Sequence, residues 1–174
     1  VRCLGSGRPF VLEVKKPSKR TLPVEDLVEL VKGHALGKVE VDSFTWCTRK
    51  KVNEVKQSRS EKTYTIRFRA EGPVENETAE KSILSLDGQV IDQETPQRVS
   101  HRRAAKIRRR KITSIDKVSF EGDDEIEITL RCEAGTYIKE LVHSDEGRTT
   151  PSVQSVLGTD CEVIWLDVLE IHSE

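Results

Sequence analysis

The chain has 174 residues, of which 35% are hydrophobic and 34% charged, the latter well above the ~25% usual for a globular domain. Its 29 basic and 30 acidic residues nearly cancel, and the Val, Ile and Leu positions suffice for one core beneath a charged exterior. No apolar run approaches the ~18–20 residues of a membrane span, and charges interrupt the N-terminal stretch where a signal segment would need an apolar block, so a cytoplasmic setting without membrane contact is expected.

Cys3, Cys47, Cys132 and Cys161 lie far apart with no C-x-x-C pair and no zinc-like spacing to histidine. Four reduced, mostly buried thiols and no metal site are therefore expected. The sequence contains no methionine and starts at Val1, which is the expectation for a piece of a longer protein.

In chain order, residues 10–15 alternate loosely like a strand after the Gly5-Ser6-Gly7-Arg8-Pro9 turn. Pro23 then opens a predicted helix through Lys32, with Val24, Leu27, Val28, Leu30 and Val31 at 3–4 spacing and Gly33 as its stop. Residues 39–47 read as a strand, and residues 48–60 as a loop or a short helix. Residues 63–70 form the clearest strand, placing Tyr64, Ile66 and Phe68 on one face and Thr65, Arg67 and Arg69 on the other. Asn76 is the expected cap of a helix over 77–86, and a short strand follows over 89–92.

A long hairpin is predicted from residues 106–120 and 124–133 around Glu121-Gly122-Asp123. Its second arm points Ile126, Ile128, Leu130 and Cys132 inward. Residues 137–142 and 152–157 have helical patterns, and a strand over 161–171 closes the chain. The order is not a regular βαβ alternation, so the fold class is α+β, a mixed and mainly antiparallel sheet with flanking helices.

The near-neutral total conceals an asymmetry. Arg98, Arg102, Arg103, Lys106, Arg108, Arg109, Arg110 and Lys111 crowd one segment with His101 and no acid, leaving 21 basic against 30 acidic residues elsewhere. A polyanion meets one attractive stripe on an acidic body, and guanidinium groups bind phosphate bidentately, so these nine residues are candidate RNA or DNA contacts. A solvated charge run is the plainer reading.

Phosphate loops of the G-x-x-x-x-G-K type and dinucleotide G-x-G-x-x-G motifs are missing. A second informative segment is Gly135-Thr136-Tyr137-Ile138-Lys139, where a glycine joins a strand to a helix that presents Tyr and Lys in its first turn. Such a lysine suits a carboxylate or phosphate. On chemistry alone, the simpler reading is that Tyr137 and Ile138 are core and Lys139 is solvated.

Gly-Thr-Tyr-Ile-Lys resembles a hallmark of pseudouridine synthases. Together with residues 1–10 (V-R-C-L-G-S-G-R-P-F), 93–103 (Q-E-T-P-Q-R-V-S-H-R-R) and 135–151 (G-T-Y-I-K-E-L-V-H-S-D-E-G-R-T-T-P), it resembles one branch in particular. That branch is the archaeal and eukaryotic tRNA pseudouridine synthase acting on uridines of the T loop. The resemblance runs over essentially the whole chain. It implies that residues 1–174 are a catalytic domain lacking its N-terminal part and an upstream accessory RNA-binding, zinc-carrying region.

The resemblance also implies roles. The family's nucleophilic Asp lies in a motif reading approximately G-R-E-D-V-D-V-R-x-L-G-x-G-R-P-F, so the matching Asp is expected just before Val1. Tyr64 matches the tyrosine that stacks on the flipped uracil and is proposed to help deprotonate it, and Tyr137 matches a second substrate-contacting tyrosine. Lys139 matches the cation that pairs with the Asp, and Ile138 and Leu166 match apolar walls of the base pocket. Making pseudouridine breaks N1–C1′, rotates the uracil and joins C5 to C1′, which needs a carboxylate but no cofactor. A neighbouring cation keeps that carboxylate ionised in a dry cleft, and the flipped base costs a few kcal/mol of stacking.

The expected partner is the T arm of tRNA, and the polypeptide as written is expected to bind RNA without isomerising uridine. Two alternatives stand beside this one. The first is a non-catalytic RNA-binding module that has lost the nucleophile. The second, a basic-hairpin DNA or ribosomal binder, leaves Tyr64 and residues 137–139 unexplained.

Overall fold

The strongest alternation in the sequence forms an interior strand of a sheet. In the computed structural model, which describes residues 2–122 and 124–172, β1 (Lys62–Ala70) lies between β4 (Glu125–Cys132) and β6 (Cys161–Ile171), antiparallel to both. With β2 (Val90–Gln93), β3 (Arg108–Glu121) and β5 (Thr149–Thr150) they make a six-stranded sheet ordered β5-β2-β3-β4-β1-β6. This is the expected α+β class with antiparallel pairing. Residues 2–8 and 59–172 form this compact unit, and residues 9–58 form a second one.

One sheet face carries the core. Tyr64, Ile66 and Phe68 of β1 share it with Ile126, Ile128, Leu130 and Cys132 of β4 and with Leu166 and Val168 of β6. Ile83 of α3 (Asn76–Leu84), Leu141 and Val142 of α4 (Ile138–His143) and Val153 of α5 (Val153–Leu157) join the same cluster. The helices are too short to be stable alone and depend on this packing. The other face is polar and paired: Thr65 and Thr129 hydroxyls lie 3.0 Å apart, Arg67 donates to Glu127 at 2.9 Å, and the Arg2 and Arg67 guanidinium groups both lie over the Trp165 ring.

The first residues of the chain dock on β6. The Arg2 N–H donates to the Leu166 carbonyl at 2.9 Å, and the Val168 N–H donates back to Arg2 at 3.0 Å. Leu4 N–H reaches the buried Asp167 carboxylate, and Ser6 N–H the Leu169 carbonyl. Gly5 passes so close that a Cβ there overlaps the Leu169 main-chain carbonyl. Gly5→Ala is therefore expected to lower the unfolding free energy by about 1–3 kcal/mol, a typical overpacking cost, read as a lower denaturation midpoint at unchanged m.

Several sequence expectations are corrected. Residues 10–15 and 39–47 are irregular, because no neighbouring strand offers them a ladder; Phe10, Leu12, Val14 and Val39 are exposed. The first helix is a 3-10 turn, Val24–Asp26, followed by α1 (Leu27–Ala35). It runs through Gly33 and ends where Leu36 and Gly37 take left-handed backbone. Residues 48–60 contain a true helix, α2 (Arg49–Gln57).

Glu75, not Asn76, caps α3, accepting from the Glu77 and Thr78 N–H groups. A 3-10 helix, Gln97–Arg102, and the short strand β5 were not expected. The hairpin joins β3 to β4 with two bulges in β3, and Asp123 of its expected turn lies outside the described residues, as does Val1.

All four cysteines are free, but only Cys132 and Cys161 are buried; Cys3 is half-buried and Cys47 exposed, which corrects the expectation of mostly buried thiols. Burial pushes the Cys132 and Cys161 thiols from 9.0 to about 12. An acid raised in the folded state contributes stability that is intact below its unfolded value and is lost as pH climbs toward the folded one. The melting temperature is therefore expected to fall steadily from pH 9 upward, and Cys132→Val to flatten that decline. No flattening in a melting series over pH 8–11 contradicts the assignment.

Candidate active site

Tyr64 sits at the middle of the core face, opposite Leu130 on β4 and Val168 on β6, with 8% of its surface exposed. Burial, then the neighbouring Cys132, raises its hydroxyl to about 12; Cys3 adds to the rise and Arg8 opposes it. At neutral pH it is a protonated phenol, offering a ring face and an O–H rather than a ready phenolate. Leu166 is paired with Ile66, one step along the same face, and Ile138 opens α4; Tyr64, Ile138 and Leu166 all belong to one apolar cluster. Residues from three distant parts of the sequence thus belong to one core. Lys139 follows Ile138, is half-buried, and makes no ion pair among the described residues.

The junction before α4 is held by a residue that the sequence reading missed. Gln93, fully buried at the end of β2, donates its amide to the Tyr137 carbonyl at 3.0 Å and accepts the Tyr137 N–H at 2.9 Å. That reciprocal clamp satisfies both main-chain groups of Tyr137 where the chain leaves strand geometry. Gly135, at φ +82°, makes the preceding turn, and the Arg110 guanidinium lies against it.

A second missed residue is Glu140, 1% exposed, which accepts from Arg98 at 2.6 and 3.2 Å. The bond to Glu140 raises the Arg98 pKa further above its ordinary value, and the guanidinium lies 5.9 Å from the Tyr137 ring centroid. The 93–103 and 135–151 blocks are therefore one piece of structure, tied again by Gln97 N–H to Asp145 (3.1 Å) and Glu94 N–H to the Arg148 carbonyl (2.8 Å). Gln97, Arg98, Glu140, His143 and Asp145 line an open cleft of about 430 Å³. The only sequence signal for Gln93 and Glu140 was their place inside those blocks.

The basic segment does not form one uniform stripe. Arg98 is engaged by Glu140. His101, Arg102, Arg103 and Lys106 are exposed on the 3-10 helix and the loop after it. On β3 the side chains alternate: Arg108 and Arg110 are half-buried, Arg109 and Lys111 exposed. Arg108 donates to Thr95 at 2.9 Å, Arg109 lies 3.6 Å from Asp92, and Arg110 donates to the Arg109 carbonyl while its Nε is buried without a hydrogen-bond partner. Among the described residues, no group of three or more His, Cys, Asp or Glu side chains is placed to hold a metal ion, and no helix is long and apolar enough to cross a membrane.

Comparison with known proteins bears on the fold and the family. Two solved structures share the fold: a Cbf5–Nop10–Gar1 complex, with a TM-score of 0.54 at 23% identity over 68% of this chain and 33% of that one, and an H/ACA RNP bound to a substrate RNA containing 2′-deoxyuridine, with a TM-score of 0.50 at 20% identity over 70% of this chain and 32% of that one. At those identities the likeness concerns fold alone. Among curated proteins, the chain is 42% identical over 170 residues to tRNA pseudouridine synthase Pus10 of Methanothrix thermoacetophila, covering 98% of this chain and 37% of that protein. It is 40% identical over 174 residues to the protein of the same name from Thermofilum pendens, covering 99% and 39%. The chain thus spans about two fifths of the length of these relatives. A family profile described as Pus10, C-terminal matches residues 1–172, and the chain belongs to that family.

Proposed function

We propose that this chain is the C-terminal catalytic portion of a cytoplasmic tRNA pseudouridine synthase that isomerises uridine in the T loop. The observation that carries the reading is the presence of Tyr64, Ile138 and Leu166 in one apolar cluster, with the half-buried Lys139 next to Ile138 in the first turn of α4. Relatives named tRNA pseudouridine synthase and a fold neighbour solved with a substrate RNA support it.

In this reading a flipped uracil lies on the Tyr64 ring between Ile138 and Leu166, with Tyr137 contacting the substrate beside it. The residue preceding Val1 in the longer protein supplies an Asp, and Lys139 keeps that carboxylate ionised. The carboxylate acts at the ribose to release N1 from C1′. The uracil turns within the apolar walls, C5 joins C1′, and the C5 proton leaves. Tyr64, protonated in the free protein, serves first as the stacking platform, and its O–H relays that proton once a base is present.

RNA is held through its backbone by Arg102, Arg103, Lys106, Arg109 and Lys111, with His101 beside them. Arg98 acts chiefly by holding Tyr137. Neutralising Arg102, Arg103 and Arg109 is expected to lower the slope of log affinity against log salt by about 0.7–0.9 for each phosphate contact removed. An unchanged slope in a filter-binding series excludes the segment from the interface.

The test of the reading is direct. The longer protein, containing the upstream residues, is incubated with unmodified tRNA, and pseudouridine is mapped by mass spectrometry of ribonuclease fragments. Pseudouridine in the T loop supports the proposal. Tight tRNA binding with uridine unchanged supports the alternative, an RNA-binding module without the nucleophile.

A further inference from the structure

We propose that Arg2 and Trp165 are positioning residues for the isomerisation. The stack of the Arg2 guanidinium on the Trp165 ring holds the segment bearing the nucleophilic carboxylate in register with the base pocket. The inference deepens the pseudouridine synthase reading and rests on it. In that reading the carboxylate stands two positions before Arg2, and Leu166 is a wall of the pocket.

One strand serves both parts. Leu166 and Val168 of β6 belong to the core cluster, while Trp165 and Asp167 alternate with them and pair with Arg67 and Thr65 of β1. β6 is the edge of the sheet, and the chain start docks on it as an isolated parallel bridge between Arg2 and Asp167. The bridge consists of the Arg2 N–H on the Leu166 carbonyl at 2.9 Å and the Val168 N–H on the Arg2 carbonyl at 3.0 Å. The strand that carries Leu166 thus also sets where Arg2 lies along it.

A single bridge is a short hold, and side chains reinforce it. The Arg2 guanidinium lies 4.5 Å and that of Arg67 5.5 Å from the Trp165 ring centroid, both within the ~6 Å reach of a cation–π contact. Two cations on one ring repel unless one is neutralised. Arg67 is neutralised, at 2.9 Å from Glu127, 3.8 Å from Glu125 and 3.9 Å from Glu121. Arg2 makes no ion pair among the described residues, so the ring is the partner its side chain has. Just downstream, the Leu4 N–H donates at 3.0 Å to Asp167, which is 5% exposed, and Gly5 lies against the Leu169 main chain.

The chain start is therefore gripped on both sides of the bridge, by Trp165 at Arg2 and by Asp167 at Leu4. A carboxylate that acts at the ribose tolerates little displacement, since a shift of about 1 Å caused far from the chemistry costs about 10²-fold in rate. An exposed arginine could instead serve an RNA phosphate. Here one face of the guanidinium is covered by the ring, which favours the positioning role.

The experiment uses the longer protein and reads single-turnover isomerisation at saturating tRNA beside tRNA affinity. Trp165→Leu and Arg2→Met are each expected to slow the step about 10–10²-fold with affinity unchanged. The double variant is expected to be no slower than the slower single one, because both changes remove one contact. Trp165→Phe keeps a ring for Arg2 and is expected to restore most of the rate. Arg69→Met removes a cation paired with Asp124 and is expected to leave the rate unaltered. Amide exchange at residues 2–6 is expected to quicken in both single variants while that of β1 stays slow, which separates local release from loss of folding.

An unchanged rate for Arg2→Met overturns the proposal. So does weaker tRNA binding by Arg2→Met with an unaltered step, which makes Arg2 an RNA contact, and so do losses that multiply in the double variant. If Trp165→Leu does not fold, Arg2→Met decides alone, since its side chain is exposed and its main-chain bonds remain. Where wild type isomerises tRNA and one of these outcomes is found, only the positioning role falls. Where wild type binds tRNA without isomerising it, the functional reading falls and the inference with it.

Discussion

Arg98→Met is expected to destabilise the fold by about 3 kcal/mol, more than any substitution among the exposed cations of the same segment. The cause is Glu140. Its side chain is 2% exposed and accepts two hydrogen bonds from the Arg98 guanidinium, whose own side chain is 53% exposed. Removing Arg98 leaves a carboxylate in the core without a donor, whereas removing Glu140 leaves a cation that water can reach. Glu140→Gln is therefore expected to cost less, and the double variant Arg98→Met, Glu140→Met to recover most of the loss, since a well-packed apolar pair often replaces a buried ion pair without penalty.

A double-mutant cycle in chemical denaturation measures the coupling. The functional consequence follows from Tyr137. Its ring faces the Arg98 guanidinium and its main chain is clamped by Gln93, so loss of the pair frees the wall of the site as well as weakening the core.

Lys139→Met is expected to lower the isomerisation rate by about 10²–10³-fold in the longer protein while leaving tRNA affinity nearly unchanged, as for removal of one electrostatic stabiliser from a desolvated site. Lys139 is half-buried at the start of α4, beside Ile138 of the apolar cluster, and no acid among the described residues pairs with it. Its charge is thus available to a carboxylate brought in by the upstream chain. The main chain of Arg2, bonded to Leu166 and Val168, ties the start of the chain to β6 beside Leu166, a residue of the same apolar cluster as Ile138. Lys139→Arg is expected to keep part of the rate. Single-turnover kinetics at saturating tRNA separates this from weakened binding.

What was legible in the sequence followed the strength of each local signal and the presence of a partner to complete it. The alternations of β1 and β4 identify their core faces because the two strands are neighbours in one sheet and share its buried face. Residues 10–15 and 39–47 carry a similar but looser pattern, yet Leu12 is 71% and Trp46 67% exposed. Alternation specifies a surface that fits a sheet, and only tertiary neighbours make the sheet. The helix α2 is rich in Arg and Lys with only Val52 and Val55 partly buried, too faint a stripe to separate helix from loop.

For the site, residue types alone left Tyr64, Tyr137 and Lys139 as plausible core or solvent residues. Resemblance singled them out, and the fold placed Tyr64 with Ile138 and Leu166. Gln93 and Glu140 were invisible for a physical reason: a buried polar residue is recognisable only once its partner is known. Their partners lie 44 and 42 residues away.

The proposed isomerisation requires C5 of uridine to lose its hydrogen beside Tyr64, and tritium release from tRNA labelled at C5 of uridine tests it most directly. A longer protein carrying the proposed Asp is predicted to release tritium to solvent from T-loop uridine, and Lys139→Met to slow that release without loss of tRNA binding. Absence of release by the wild-type protein, or undiminished release by Lys139→Met, contradicts the account.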